Sequence, residues 1–126
     1  MNARALALAA RVRKKSDSIP GQIARAFEAV HGRRPTENET ADCQAHLTRM
    51  AAWHREHPPK SVSLPTSVER NMVEEMTGET IHWTEELDVL KDYERDLMPW
   101  QVGPETRALA DLCLVLFNSN EFLYLR

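Results

Sequence analysis

Cys43, His46, Met50, His54 and His57 fall within the single stretch CQAHLTRMAAWHREH. Thiol, thioether and imidazole are the side chains that hold soft or borderline metals. If the stretch is helical, this spacing sets them along one broad stripe. Axial distance works against a shared site, because Cys43 and His54 stand roughly 16 Å apart at ~1.5 Å of rise per residue. Only a neighbouring pair, His54 with His57, is near enough to share an ion, and two ligands leave a tetrahedral site half built. His54 and His57 are therefore the candidate metal ligands. The rest of the stripe reads as core or helix surface, and no cofactor is expected.

The other reactive residue types lack the spacing that chemistry needs. There is no glycine-rich phosphate loop, nucleophile elbow or His-Glu-x-x-His motif. Glu74-Glu75 and Glu85-Glu86 are adjacent carboxylates that would point about 100° apart on a helix, which suits a solvated face better than general acid and base work. Trp53, Trp83 and Trp100 are too widely spaced for a stacking platform and read as anchors for turns and an extended arm. No catalytic residue is expected. Cys43 and Cys113 form no local thiol motif and read as small core residues, bridged only if the compartment is oxidising.

A chain of 126 residues is one domain's worth and long enough to bury a sizeable core without metal or disulfide. Charged residues make up 28% and the net charge is −3, with both signs interspersed. That balance argues against nucleic acid or an anionic membrane as partner. The stretch ALALAARVRKK is apolar, yet its basic cluster follows the apolar run and no small-x-small cleavage site comes after it. It reads as an amphipathic helix rather than a signal peptide. No run of 18 apolar residues exists, so no membrane span is expected.

These residues must be positioned by helices whose ends are marked. The first is expected over residues 3 to 15, with its cations near its C-terminal pole. The second starts from Ser18 as N-cap with Pro20 in its first turn, and stops at Gly32. In GRRPTENE, Thr36 and Glu39 have the spacing of a capping box, so a third helix should start there and run to about Glu56, turning Thr40, Cys43, Leu47, Met50, Ala51 and His54 inward. Residues 57 to 66 are rich in proline and serine and read as an extended connection.

Beyond it, Val68, Met72, Val73 and Met76 have a helical spacing that predicts a short helix from Val68 to Thr77, stopped by Gly78. Ile81-His82-Trp83 alternates like a strand, but a lone strand has no partner, so it reads as an arm docked on helices. A further helix is expected from Glu85 to Met98, through Leu87, Leu90, Tyr93 and Leu97. Pro104 opens the last, which turns Leu109, Leu112, Cys113 and Leu116 one way and is apolar enough to be buried nearly all round. On it Arg107 and Asp111, one turn apart, could pair. Asn118 and Asn120 suit the left-handed conformation that would fold Phe122 and Leu123 back over the core. The expected fold is all-α: a single helical domain over 1–126, a compact bundle of five or six short helices with the C-terminal helix, including Leu112 and Leu116, at its centre.

ETRALADLCLVLFNSNEFLYLR, together with NMVEEMTGET, EELDVLKDY and DLMPWQV, resembles the C-terminal end of a planctomycete domain of unknown function, the PSD-one type. The likeness runs from about Thr66 to Leu125. Upstream, ARALALAARV and RAFEAVHGRRPTENE are similar to that family's helix and Gly-Arg-x-Pro-Thr turn, leaving only residues 57 to 65 outside. The chain departs from the pattern at Gly78-Glu79-Thr80, in place of Gly-Glu-Pro, and at Tyr93-Glu94-Arg95-Asp96-Leu97, in place of Tyr-Val-Pro-Asp-Leu. Without the second proline a helix is free to pass through Arg95. In that family the domain closes large exported proteins that also carry a cytochrome-c-like domain, and no catalytic residue carries over.

The resulting expectation is a non-catalytic helical module for structure or interaction, whose partners are other domains of a larger protein, a separate protein, or a second copy. The alternative is a ligand- or metal-binding accessory domain of an extracytoplasmic enzyme or redox system. Export is implied for the full-length relatives.

Overall fold

The computed structural model describes residues 1–124, apart from the side chain of Leu90. Five helices and one antiparallel hairpin follow in the order α1 (Ala3–Lys15), α2 (Ile19–His31), α3 (Glu37–Glu56), β1 (Ser67–Val73), β2 (Thr80–Glu86), α4 (Pro104–Phe117) and α5 (Asn120–Leu123). The fold is therefore mixed rather than all-α. The chain divides into two compact units. One is helical, Met1–Lys60 with Asp96–Arg126, and the other is Ser61–Arg95, which carries the hairpin.

The helical unit is built on marked ends. Asn2 caps α1 by accepting from the Arg4 and Ala5 amides, and Ser18 caps α2 through the Gly21 amide. α2 stops at Gly32, whose φ of 69° is open to glycine at no steric cost and whose amide reaches back to the Glu28 carbonyl. Thr36 and Glu39 form both halves of a capping box on α3, with Glu39 Oε2 accepting from the Thr36 amide at 2.7 Å.

α1 and α3 both pack extensively on α4, with Ala5, Leu6, Leu8, Ala9 and Val12 meeting a core that includes Ala108, Leu109, Leu112, Cys113 and Leu116. α2 adds Ile23, Ala26 and Phe27, and α3 adds Cys43, Leu47 and Ala51. The expectation that α4 is buried nearly all round is corrected at Val115, which is exposed, while Leu114 and Phe117 are half-buried.

The helix expected from Val68 to Thr77, the extended arm at Ile81–Trp83 and the helix from Glu85 to Met98 are all replaced. Val73 pairs with Thr80 and Ser67 with Glu86, so the arm supplies the partner that a lone strand would lack. A spacing of four between Val68 and Met72 fits a helical turn and also fits alternation along a strand, and cross-strand pairing decides between them. Gly78, read as a helix stop, instead adopts φ 72° in the hairpin loop, where its amide donates to the Glu74 carbonyl. The ladder runs on to a bond from the Leu87 amide to the Thr66 carbonyl. Where the helix from Glu85 to Met98 is expected, one 3-10 turn forms, Asp88–Leu90, and Arg95 lies outside any helix. A second 3-10 turn, Pro99–Gln101, leads into α4.

Candidate functional site

Both candidate metal ligands touch the Trp53 ring. His54 is buried and its ring meets the indole edge-on at 5.0 Å, while the His57 ring stacks on the indole at 4.4 Å. Each imidazole has a protein partner: His54 Nε2 donates to Asp111 Oδ2 at 2.6 Å, and His57 Nδ1 donates to the Trp53 carbonyl at 2.9 Å. Among the described residues no three His, Cys, Asp or Glu side chains stand close enough to hold an ion together. Cys43 and Cys113 are free and buried, and burial pushes both thiols up, Cys113 to about 12.

Arg107 and Asp111 do not pair with each other. Asp111 holds His54, whereas the buried Arg107 guanidinium donates to the carbonyls of Pro99 at 3.1 Å, Val102 at 2.5 Å and His54 at 3.2 Å. It thus ties the end of α3 and the turn before α4 to α4 itself, with only its Nε left without a partner. Nearby, Glu105 accepts from Arg55 at 2.7 Å, and its own backbone amide together with Arg55 lowers the carboxyl below its usual range.

In the segment Asn118-Ser119-Asn120-Glu121 the serine and the glutamate make the long-range contacts. Asn118 lies at φ −98°, ψ 6°, outside the left-handed region, and its Nδ2 donates to the Leu114 carbonyl at 2.7 Å. No described residue other than glycine has positive φ. Ser119 caps α5, donates to the Leu116 carbonyl and accepts from His31 Nε2 at 2.9 Å; Asn120 is simply the first residue of that short helix. Phe122 and Leu123 remain exposed rather than closing over the core, although Phe122 touches Phe117 with ring centroids 5.5 Å apart.

Glu121 meets Arg33 in a two-point bond at 2.6 and 2.8 Å, and the same guanidinium grips Glu39 at 2.8 and 2.9 Å. One arginine therefore bolts α5 to the start of α3. Its own pKa is raised by the two carboxylates, Glu39 contributing most. Arg33 holds Glu39 down to about 2, helped by the Thr36 amide, and holds Glu121 below the usual range.

Because these carboxyls titrate lower folded than unfolded, their contribution is complete above the ordinary value of 4.5 and is lost as pH falls from there toward about 2. The melting temperature should fall across that window, and less steeply in Glu39→Gln. Equal slopes in thermal melts of the two proteins would exclude this junction as the origin.

An exposed apolar cluster lies on the hairpin. Directly opposed residues point to the same side of a sheet, so Val68 with Glu85, Arg70 with Trp83, and Met72 with Ile81 define one face. Met72 is 53% exposed, Ile81 49% and Trp83 41%, and Arg70 is ion-paired with Glu85 among them. The opposite face carries Glu69, Asn71, His82 and Thr84 and is polar apart from Val73 at the loop end. The sequence carried this signal in the alternation of Ile81-His82-Trp83 and in Gly78 between two such runs.

Charge, interspersed when averaged over the chain, is divided between the units. Residues 61–95 hold three Lys/Arg against nine Asp/Glu, a net −6, and the helical unit holds 13 against 10, a net +3. No helix is long and apolar enough to cross a membrane among the described residues.

No family model, curated protein or solved structure matches the chain.

Proposed function

We propose that this protein is a non-catalytic interaction module that binds a protein partner through the apolar face of its hairpin, within or alongside a larger exported protein of the kind the PSD-one resemblance implies. The exposed cluster of Val68, Met72, Ile81 and Trp83 carries this reading. A two-stranded sheet is marginal in water by itself, and an amphipathic one gains most when its apolar face is covered. Trp83 beside Arg70 supplies the residue types that dominate binding energy at interfaces. The net charge of −6 on the unit that carries this face favours a basic partner surface with an apolar centre, because like charge would be repelled during encounter.

A synthetic leucine/lysine amphipathic helix serves as the probe. It should shift the Trp83 indole N–H resonance, assigned by its loss in Trp83→Phe, whereas a leucine/glutamate helix of the same length should not. Trp83→Ser should weaken the binding about tenfold or more. A Trp83 resonance unmoved by the basic helix would rule the reading out.

A further inference from the structure

The basic partner surface that the hairpin face calls for is present on the helical unit. Between α1 and α2 lies a groove of about 390 Å³ floored by Leu8 and Val12 and rimmed by Arg11, Lys15 and Arg25. All three cations are exposed, and none has a carboxylate partner among the ion pairs of the described residues. The one acidic residue of the rim, Glu28, is already paired with Arg34 at 3.2 Å.

We propose that the α1–α2 groove of one copy receives the apolar hairpin face of a second copy, so that the protein self-associates head to tail. The inference rests on the hairpin being the binding element, as argued above, and it names the partner. Opposite charge supplies the match. The surface around Val68, Met72, Ile81 and Trp83 belongs to the unit of net −6, and the groove presents three unpaired cations. The groove volume is of the size that takes up a large side chain, and Trp83 is the large exposed residue at the middle of the hairpin face. Because groove and hairpin are different surfaces, the contact is heterologous. Each copy offers one donor surface and one acceptor surface.

Sedimentation of the full chain tests this directly. The average mass of the wild-type protein should rise with concentration and fall again at high salt, since the attraction is screened. Arg11→Glu/Arg25→Glu removes the groove half, and Trp83→Ser removes the hairpin half; both changes are at exposed positions, and circular dichroism confirms that each variant is folded. Each variant alone should remain monomeric. Mixed together they should form a dimer and nothing larger, because one retains only a working hairpin and the other only a working groove.

A wild-type protein that stays monomeric up to millimolar concentration overturns the proposal, as does a mixture that stays monomeric or variants that assemble like the wild type. If the wild type is monomeric but its Trp83 resonance still moves with the leucine/lysine helix, the hairpin reading stands and the second copy is the wrong partner. If neither responds, both readings fall.

Discussion

Arg107→Met should lower the unfolding free energy by about 3 kcal/mol or more. The side chain is buried, and its three bonds go to the Pro99, Val102 and His54 carbonyls. Methionine fills similar space but donates nothing, so acceptors at the end of α3 and in the turn before α4 lose their partners together. An unmade bond to a buried acceptor costs about 1 to 3 kcal/mol, offset in part by no longer burying a charge. Arg107→Lys should recover only part of the loss, because an ammonium is a single point where the guanidinium is a fork reaching three carbonyls. Chemical denaturation with all three proteins decides the matter. A loss below about 1 kcal/mol in the methionine variant would mean that water substitutes for the guanidinium.

Leu112→Ala and Leu116→Ala should each cost about 2 to 5 kcal/mol. Both side chains are nearly inaccessible on α4, against which α1 and α3 pack. Truncation removes transfer energy and leaves a cavity that a helix held from two sides cannot close. Val115, on the same helix and 57% exposed, provides the control. Val115→Ala should change stability by less than about 0.5 kcal/mol. Similar losses at all three positions would show that α4 is not oriented as described, and a change below about 0.5 kcal/mol at both leucines would show that the core lies elsewhere.

The helical unit was legible wherever a helix announced its own ends. Thr36 with Glu39, Ser18 with Pro20, Gly32 and Pro104 each act within one turn of themselves, so local chemistry is enough to place them. The hairpin was not legible, because Val68 and Met72 satisfy two periodicities at once. What separates those periodicities is the pairing of Met72 with Ile81 across the loop, which no window over one strand contains. The same locality explains the errors on α4. Asp111 is one turn from Arg107, yet it finds His54 on α3, and the buried arginine is claimed by carbonyls upstream.

In the C-terminal segment the asparagines have the composition of turn formers, while Ser119 and Glu121 make the long-range bonds to His31 and Arg33. The interaction surface was half visible. Its residues stood out as a short alternation, but their shared face exists only once the strands are paired.

The packing of α1 on α4 also bears on how the chain reaches its native state. Arg13 and Thr106, which bond across that contact, lie 93 positions apart. α2 meets α1 less extensively than α4 does, so much of the apolar stripe of α1 stays uncovered during synthesis until α4 has left the ribosome, whereas the hairpin can close as soon as its own residues emerge. Folding should accordingly be slower than the short helices suggest, with the hairpin forming early and the bundle completing late. The interval between the two is when the apolar face of α1 is most open to aggregation.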